Sequence, residues 1–240
     1  APGIGSGRRV YAIGDIHGRL DLLRELHGRI AHDAAGFDGE RTVVYLGDYI
    51  DRGPRSREVI DELLDAPLPG FDSVHLLGNH EQTLLDFLQY PQQAAGWLAW
   101  GGRETLQSYG VRPPPDFARA DVEQLRDELQ ARLPGRHLEF FRGMPLTHVD
   151  GDYLFVHAGI RPGVPLQEQS DSDLLWIRRD FTASAEAHSH VVVHGHSISE
   201  AVEILPNRIG IDTGAFYTGV LTCLVLEGAQ RRLLQTEGGN

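Results

Sequence analysis

Five short apolar runs, each followed by a cluster of glycine and polar residues, restrict the possible folds of this chain more than any other feature of its sequence. The runs cover residues 9–13, 42–46, 73–77, 153–156 and 191–193. Continuous runs rich in β-branched residues are typical of strands that are covered on both faces. The sequence therefore predicts buried strands in an α/β protein.

The segments between the first three runs have the periodicity of amphipathic helices. Apolar residues recur at helical spacing within residues 20–31 and again within residues 56–64. Each strand and the helix after it occupy about 30 residues, which is the length of a β-α-β unit. The three strands are therefore predicted to be parallel neighbours. Their carboxyl ends would share one edge of a sheet, where ligands bind in open α/β folds.

The rest of the chain divides into a helical middle and a return to strands. Residues 82–144 contain helical patterns at 82–90 and 121–133, separated by Trp97, Trp100 and a run of three prolines that excludes a helix. We interpret this region as a helical insert beside or over the site. Three further strands are predicted at residues 208–212, 220–226 and 231–235. Because we find no linker, we expect residues 1–240 to form a single domain.

Net charge and cysteine content argue against several classes of function. The formal net charge is -12 at pH 7, so the surface should repel polyanions and generic nucleic-acid binding is not expected. No apolar stretch reaches the ~18 residues of a membrane-spanning helix, so we expect no membrane partner. The single cysteine, Cys223, allows no internal disulfide and fits a reducing compartment, which favours a cytoplasmic location.

The polar clusters after the runs contain oxygen and nitrogen donors but no thiolate. These donors are Asp15, His17, Asp48, Asn79, His80, His157, His194 and His196. Such a set suits divalent Mn, Fe or Zn. Each cluster alone would be interpreted as a turn or a helix cap, but five clusters at strand ends together predict a metal site.

The clusters also resemble the motifs of the metallophosphoesterase superfamily, and specifically of its phosphoprotein-phosphatase branch. Gly-Asp-x-His-Gly stands at 14–18, Gly-Asp-x-x-Asp-Arg-Gly at 47–53 and Gly-Asn-His-Glu at 78–81. Three later motifs match in the manner of the small bacterial and phage phosphatases: His-Ala-Gly from 157, Gly-His ending at 196 and Ile-Asp-Thr-Gly-Ala from 211. The resemblance covers about residues 10–226. It implies a calcineurin-like fold, α/β (α+β layered), with mixed β-sheets sandwiched between helices.

The resemblance implies a cofactor of two divalent metal ions, for which we expect manganese, with iron or zinc as alternatives. It assigns Asp15 and His17 to the first ion, Asp48 as a bridge between the ions, and Asn79, His157 and His196 to the second ion. His194 precedes His196 by two residues and is an alternative ligand, although the Gly-His pairing favours His196.

The resemblance also implies the catalytic roles. His80 would be the general acid, and Asp51 would orient and charge its imidazole. Arg52 and Arg178 would contact the phosphate. A hydroxide that bridges the metal ions would attack phosphorus directly.

One position departs from the phage-type pattern. Leu77 stands two residues before Asn79, where those enzymes carry an arginine, so one phosphate contact is either missing or supplied by Arg161 or Arg103. Asp212 is expected to fix a turn near the site rather than bind metal. Trp97 and Trp100 are interpreted as packing residues of the insert, with substrate stacking as the alternative.

These observations favour a phosphatase of phosphate monoesters, similar to serine/threonine protein phosphatases. The expected partner is a phosphorylated protein or a small phosphate ester. The alternative is a hydrolase of dinucleoside polyphosphates or nucleotide pyrophosphates, because those enzymes share the metal centre and most of the motifs. A catalytically silent binding module is not favoured, since the expected ligands and the acid are all present.

Overall fold

The computed structural model describes residues 2–116 and 119–238 of the chain. Ten strands form two five-stranded sheets in these ranges. They are β1 (Arg8–Ile13), β2 (Glu40–Tyr45), β3 (Asp72–His75), β4 (Thr147–Asp150), β5 (Tyr153–Val156), β6 (Val191–His194), β7 (Glu203–Ile204), β8 (Arg208–Gly210), β9 (Thr222–Glu227) and β10 (Gln230–Gln235). The strand orders are β10-β9-β1-β2-β3 and β4-β5-β6-β8-β7.

Nine α-helices and two short 3-10 helices accompany the sheets in the described part of the chain. The α-helices are α1 (Leu20–Ala34), α2 (Ser56–Asp65), α3 (Asn79–Gln89), α4 (Gly102–Ser108), α5 (Val122–Arg132), α6 (Gly135–Arg142), α7 (Asp171–Trp176), α8 (Arg179–Thr182) and α9 (Ala215–Thr218). The 3-10 helices span Ala95–Trp100 and Leu166–Glu168. All helices among these residues are too short or too polar to cross a bilayer.

The predicted parallel arrangement of the first three strands is confirmed. Strand β1 pairs in parallel with β2, and β2 pairs in parallel with β3. In the second sheet β6 lies between β5 and β8 and is parallel to both. Strand β9 is antiparallel to both β1 and β10 in the first sheet, and both outer pairs of the second sheet are antiparallel, so both sheets are mixed. The carboxyl ends of the parallel strands deliver the loops that carry the predicted site residues.

Alternation of side chains along the strands builds a four-layer sandwich. Tyr11 and Ile13 of β1 belong to a core shared with α1 and α2 on the outer face of the first sheet. Ala12 of β1 points the other way and packs with Phe155 of β5 and Val193 of β6, between the two sheets. A third core joins the far face of the second sheet to α7 and α8. The order helices, sheet, sheet, helices confirms the predicted α/β fold class.

The insert is helical, as predicted, with boundaries that differ from those expected. Helix α3 begins at Asn79, three residues before the expected start, so the third motif lies in its first turn. Glu81 there accepts a hydrogen bond from the amide of Gly78, which caps this helix start. The prolines at 113–115 lie outside any helix, as expected.

Two edge strands were not predicted. Strand β4 has the sequence Thr-His-Val-Asp and β7 is a two-residue strand, so neither contains an apolar run. Both sit at sheet edges, where only one side of the strand is hydrogen-bonded to a neighbour. Edge positions tolerate polar residues, and the hydrophobic pattern therefore gives no signal.

Candidate metal centre and active site

The loops after β1, β2, β5 and β6 and the first turn of α3 bring the predicted site residues together in one buried cluster. All six predicted metal ligands, and also His80 and Asp51, are at most 4% exposed. Arg52 is partly buried and Arg178 is exposed. Ionisable side chains are rarely buried without partners, so such a cluster must be held by hydrogen bonds or cations.

The backbone is strained at the cluster. Among the described residues, five that are not glycine have a left-handed φ: His17 (45°), Asp48 (55°), Asp51 (73°), Arg52 (66°) and His196 (59°). Each such conformation costs about 1–3 kcal/mol and persists only where surrounding contacts enforce it. All five belong to the predicted site. The strained residues are therefore the same ones that the motifs identify, and the backbone angles are evidence that does not depend on residue type.

Two histidines have their protons fixed by backbone carbonyls. His17 donates its Nδ1 proton to the carbonyl of Ile50 (2.8 Å), and His157 donates its Nδ1 proton to the carbonyl of Leu46 (2.7 Å). Because a carbonyl only accepts, the free lone pair of each ring is on Nε2. These Nε2 atoms lie 3.5 Å and 3.4 Å from the carboxylate of Asp48. Backbone-oriented rings of this kind are typical of metal-binding histidines.

Hydrogen-bond acceptors face one another in the part of the cluster formed by Asn79, His157 and His196. The Asn79 Oδ1 atom lies 2.8 Å from His157 Nε2, which has no proton to give once Nδ1 donates to Leu46. His196 Nδ1 lies 2.9 Å from the same oxygen, and its Nε2 is buried without a hydrogen-bond partner. Facing lone pairs and an unpartnered buried nitrogen fit a shared cation better than an internal hydrogen-bond network.

Asp48 belongs to both groups of side chains whose donor atoms could hold a metal ion. One group is His17, Asp48 and His80, and the other is Asp48, His157 and His196. Burial would raise the pKa of Asp48, but the surrounding histidines lower it below its usual value. Burial also lowers the pKa of His17 to about 3 and that of His196 to about 2. Neutral imidazoles beside a carboxylate are the protonation states that bind a divalent ion.

Asp15 is part of the cluster but of neither group. Its carboxylate accepts the amide proton of His196 (3.1 Å) and packs against Asp212. Burial, Asp212 and Asp48 together raise the pKa of Asp15 well above its usual value. Gly195 leaves room for the Asp15 carboxylate beside the amide of His196, because a Cβ at residue 195 would overlap that carboxylate. Three neighbouring buried carboxylates repel one another, and divalent cations would relieve that repulsion.

His80 and Asp51 form a hydrogen-bonded pair beside Asp48. His80 donates its Nδ1 proton to Asp51 Oδ2 at 2.6 Å, and its Nε2 lies 3.8 Å from Asp48. Burial lowers the pKa of His80, but Asp48 and Asp51 more than offset it and raise the pKa to about 8. In the metal-free protein a histidine with this pKa is largely protonated near pH 7 and has a proton to donate.

The two predicted phosphate-binding arginines lie on either side of the cluster. Arg52 Nη1 is 3.1 Å from His17 Nε2, and its guanidinium stacks 4.8 Å from the ring centre of Phe216. Arg178 donates from Nη1 to the carbonyl of His196 (3.2 Å). Both can offer further N–H donors to an anion above the cluster.

The candidates for the missing phosphate contact differ in position. Leu77 is buried in the core, so that position contributes no donor. Arg161 is paired with Asp173 (2.6 Å) and Asp180 (3.3 Å). Arg103 donates to the carbonyls of the proline run and lines a cleft together with Arg52. Arg103 therefore shares a cleft with Arg52, whereas Arg161 is engaged by two carboxylates.

His194 and Asp212 lie beside the cluster and outside both candidate metal-binding groups. His194 contacts the carbonyl of Gly195 through Nδ1 (3.0 Å) and lies 3.3 Å from Arg208 through Nε2, and it belongs to neither metal-binding group. Asp212 accepts the amide proton of Gly214 (3.0 Å) and so fixes a turn, while also packing against Asp15.

Three residues that contribute to the site were not predicted. Glu81 accepts the amide protons of Asp48 and Tyr49, both at 2.8 Å, and so ties the second motif to α3. Its place in the Gly-Asn-His-Glu motif was the available signal. Trp97 and Thr105 both donate hydrogen bonds to Asp51. The sequence favoured packing for Trp97, with substrate stacking as the alternative, and nothing in the local sequence marks Thr105.

Residues 8–215 match the calcineurin-like phosphoesterase family. The chain belongs to this family. Its members use a dinuclear centre of divalent metals, and the buried histidine and aspartate groups described above could hold such ions. The protein is therefore a metal-dependent hydrolase of phosphate esters.

Two classes of activity are represented among the proteins that this chain resembles. The chain is 26% identical over 233 residues to an asymmetrical bis(5'-nucleosyl)-tetraphosphatase of Anoxybacillus flavithermus, with 88% of each chain covered. It is 28% identical over 224 residues to serine/threonine-protein phosphatase 2 of Escherichia coli, covering 90% of this chain and 91% of the relative. A crystal structure described as a candidate diadenosine tetraphosphatase superposes with a TM-score of 0.66 at 20% identity. That superposition covers 97% of this chain and 94% of the other, and supports the fold.

Proposed function

We propose that the protein is a phosphomonoesterase of the serine/threonine protein phosphatase type. The supporting observation is the His80–Asp51 pair beside the candidate metal cluster. The alkoxide that leaves from a serine or threonine phosphate is strongly basic, so its departure needs a proton donor. The leaving group of a phosphoanhydride is itself a phosphate and needs protonation far less. A buried, carboxylate-oriented histidine therefore fits the monoester better.

In this proposal six residues hold the two metal ions: Asp15, His17, Asp48, Asn79, His157 and His196. When bound, the ions supply Lewis-acid activation of water and neutralise charge on the phosphate, with manganese as the proposed metal. Arg52 and Arg178 bind the phosphate oxygens with paired N–H donors. His80 donates the proton from Nε2 to the leaving oxygen, while Asp51 keeps the ring in the required tautomer.

A substrate panel tests this proposal. Purified protein is loaded with Mn²⁺, and turnover is compared on a phosphoserine peptide, a phosphothreonine peptide and diadenosine tetraphosphate, with metal content measured on the same sample. We expect saturable hydrolysis of the peptides with about two metal ions per chain, as in other two-metal sites. Stoichiometric metal binding with no peptide hydrolysis would reject the proposed substrate while leaving the metal centre intact.

The second candidate substrate is a dinucleoside polyphosphate. A cleft of about 570 Å³ begins at Arg52 and is lined by Trp100, Ile198 and Phe216 among others. Trp100 is 53% exposed, and its ring lies 6.1 Å from that of Trp176, which is 38% exposed. Exposed aromatic rings beside a phosphate site can stack on a nucleobase. Relatives named as tetraphosphatases add support. Faster saturable cleavage of the dinucleotide in the panel would favour this candidate.

The location of the enzyme is part of the same proposal. Cys223 is buried and unpaired, as in proteins of reducing compartments, so we propose that the protein acts in the cytoplasm. Cell fractionation with an antibody against the chain tests this directly.

A further inference from the structure

The carboxylate of Asp51 is held mainly from outside its own loop. It is fully buried and accepts three hydrogen bonds: from His80 Nδ1 (2.6 Å), Trp97 Nε1 (2.6 Å) and Thr105 Oγ1 (2.5 Å). Trp97 and Thr105 come from the insert, 46 and 54 residues further along the chain. With three donors around two oxygens, the carboxylate has one orientation, and the His80 ring follows it.

The same insert segment also holds the backbone of the loop. Asp51 and Arg52 are consecutive left-handed residues, with φ of 73° and 66°. Thr105 Oγ1 accepts the amide proton of Asp51 (2.9 Å), and the carbonyl of Gly101 accepts the amide proton of Arg52 (3.2 Å). Ser56 Oγ of α2 accepts the same amide proton of Asp51 (3.0 Å), so the insert and α2 together maintain these left-handed conformations.

Gly101 is required at this point of contact. Its φ is 116°, and a Cβ on it would lie 2.5 Å from the amide nitrogen of Arg52. The backbone of the insert therefore lies so close to the loop that no side chain fits at residue 101. We call Trp97, Gly101 and Thr105 the insert clamp.

We propose that Trp97 and Thr105 of the insert clamp are positioning residues, which fix Asp51 and thereby aim the His80 proton at the leaving oxygen. This inference rests on the acid role in the proposed function. Both residues act through Asp51, whereas the candidate metal ligand His157 is oriented by the carbonyl of Leu46, which lies outside the motif at 47–53. Loss of a clamp hydrogen bond should therefore impair proton transfer and leave the metal content unchanged.

The test compares leaving groups. Thr105→Val removes the hydroxyl and keeps the shape, and Thr105→Ser keeps the hydroxyl as the matched control. Trp97→Phe removes the indole donor and keeps an aromatic ring against Phe87. We expect kcat on the phosphoserine peptide to fall about tenfold or more in Thr105→Val, with little change in KM, because general acids contribute at least that much. On p-nitrophenyl phosphate, whose leaving group needs no proton, kcat should change less than about twofold.

Two results would overturn the proposal. One is an equal loss on both substrates at wild-type metal content. The other is a Thr105→Ser enzyme as impaired as Thr105→Val, which would indicate packing alone. Circular dichroism and thermal melts establish that each variant is folded. If Trp97→Phe does not fold, the two variants of Thr105 decide the matter.

A spectroscopic measurement separates this inference from the proposed function. The Nδ1 proton of His80 lies in a short hydrogen bond and should resonate far downfield in the proton NMR spectrum, in a window with few other signals. His80→Asn assigns the signal by removing it. We expect the resonance to move or broaden in Thr105→Val and to return in Thr105→Ser. If the wild type fails to cleave the peptide, the proposed function fails but this measurement still decides the clamp. An unmoved resonance in Thr105→Val overturns the clamp.

Discussion

At the level of single residues, the centre depends on side chains whose proton positions are dictated by their neighbours. The carbonyls of Ile50 and Leu46 take the Nδ1 protons of His17 and His157, while Asp51 takes that of His80. The first two rings thereby present lone pairs, and the third presents a proton. The three histidines are thus suited to different chemical tasks because their hydrogen-bond partners differ in charge.

Replacement of His80 tests the acid role. His80→Asn removes the proton donor but leaves the donors around Asp48 in place, so metal content should stay at the wild-type level. Turnover on a phosphoserine peptide should fall about 100-fold or more, and turnover on p-nitrophenyl phosphate much less. Steady-state kinetics with metal analysis measures both. His32→Asn, at an exposed site in α1, is the control. Unchanged turnover on the peptide would remove His80 from the acid role.

Replacement of Asp48 tests its place in both metal-binding groups. Asp48→Asn removes the charge shared by the two groups, so both ions should bind more weakly, each by about tenfold or more, as for other lost ligands. Titration calorimetry or metal analysis after dialysis measures this. Asp72→Asn, exposed at the start of β3, should bind as the wild type does. Loss of one ion alone would contradict a bridging Asp48.

At the level of elements, the first turn of α3 is hydrogen-bonded to the loop after β2. Glu81 accepts amide protons from Asp48, Tyr49 and Gly78, and therefore joins the loop after β2 to the start of α3. A carboxyl group that accepts several buried amide protons stabilises both the helix start and a loop that contains the left-handed residue Asp48.

Glu81→Gln tests this connection. The amide group has one acceptor oxygen instead of two, and its NH₂ group would face backbone donors. We expect the free energy of unfolding of the metal-free protein to fall by about 1–3 kcal/mol, which is typical of a buried amide that loses its acceptor. Urea denaturation measures it. Glu123→Gln in the first turn of α5 is the matched control, because Glu123 is exposed there. Equal effects of the two variants would contradict the role of Glu81.

The strands and the insert also show which parts of the structure can be predicted from the sequence. Strands β1, β2, β5 and β6 were predicted because buried parallel strands are continuously apolar. The polar residues after them were predicted to lie together because the carboxyl ends of parallel strands share one edge of the sheet. Strands β4 and β7 were not, because edge strands lack that pattern. Trp97 and Thr105 reach Asp51 across 46 and 54 residues, a contact that depends on how the insert folds back. Local periodicity contains no information about such contacts.

At the level of the whole molecule, the candidate metal centre lies where the two sheets meet. Asp48 follows β2 of the first sheet, whereas His157 and His196 follow β5 and β6 of the second. The sheets share an apolar core, and the buried carboxylates Asp15, Asp48 and Asp212 lie at its edge. Bound ions would therefore link the two sheets and neutralise charges that otherwise oppose their packing.

This arrangement predicts that metal removal destabilises the whole protein and not only the site. At a free ion concentration about 100 times the dissociation constant, one bound ion adds about 2.7 kcal/mol to the free energy of unfolding. The melting temperature should therefore fall when Mn²⁺ is chelated and rise again with added Mn²⁺, as measured by differential scanning calorimetry. The melting temperature of Asp48→Asn should change much less with Mn²⁺ than that of the wild type, whereas Asp72→Asn should respond as the wild type does. A melting temperature independent of Mn²⁺ in the wild type would contradict a centre that ties the sheets together, because ions bound only to the native state must stabilise it.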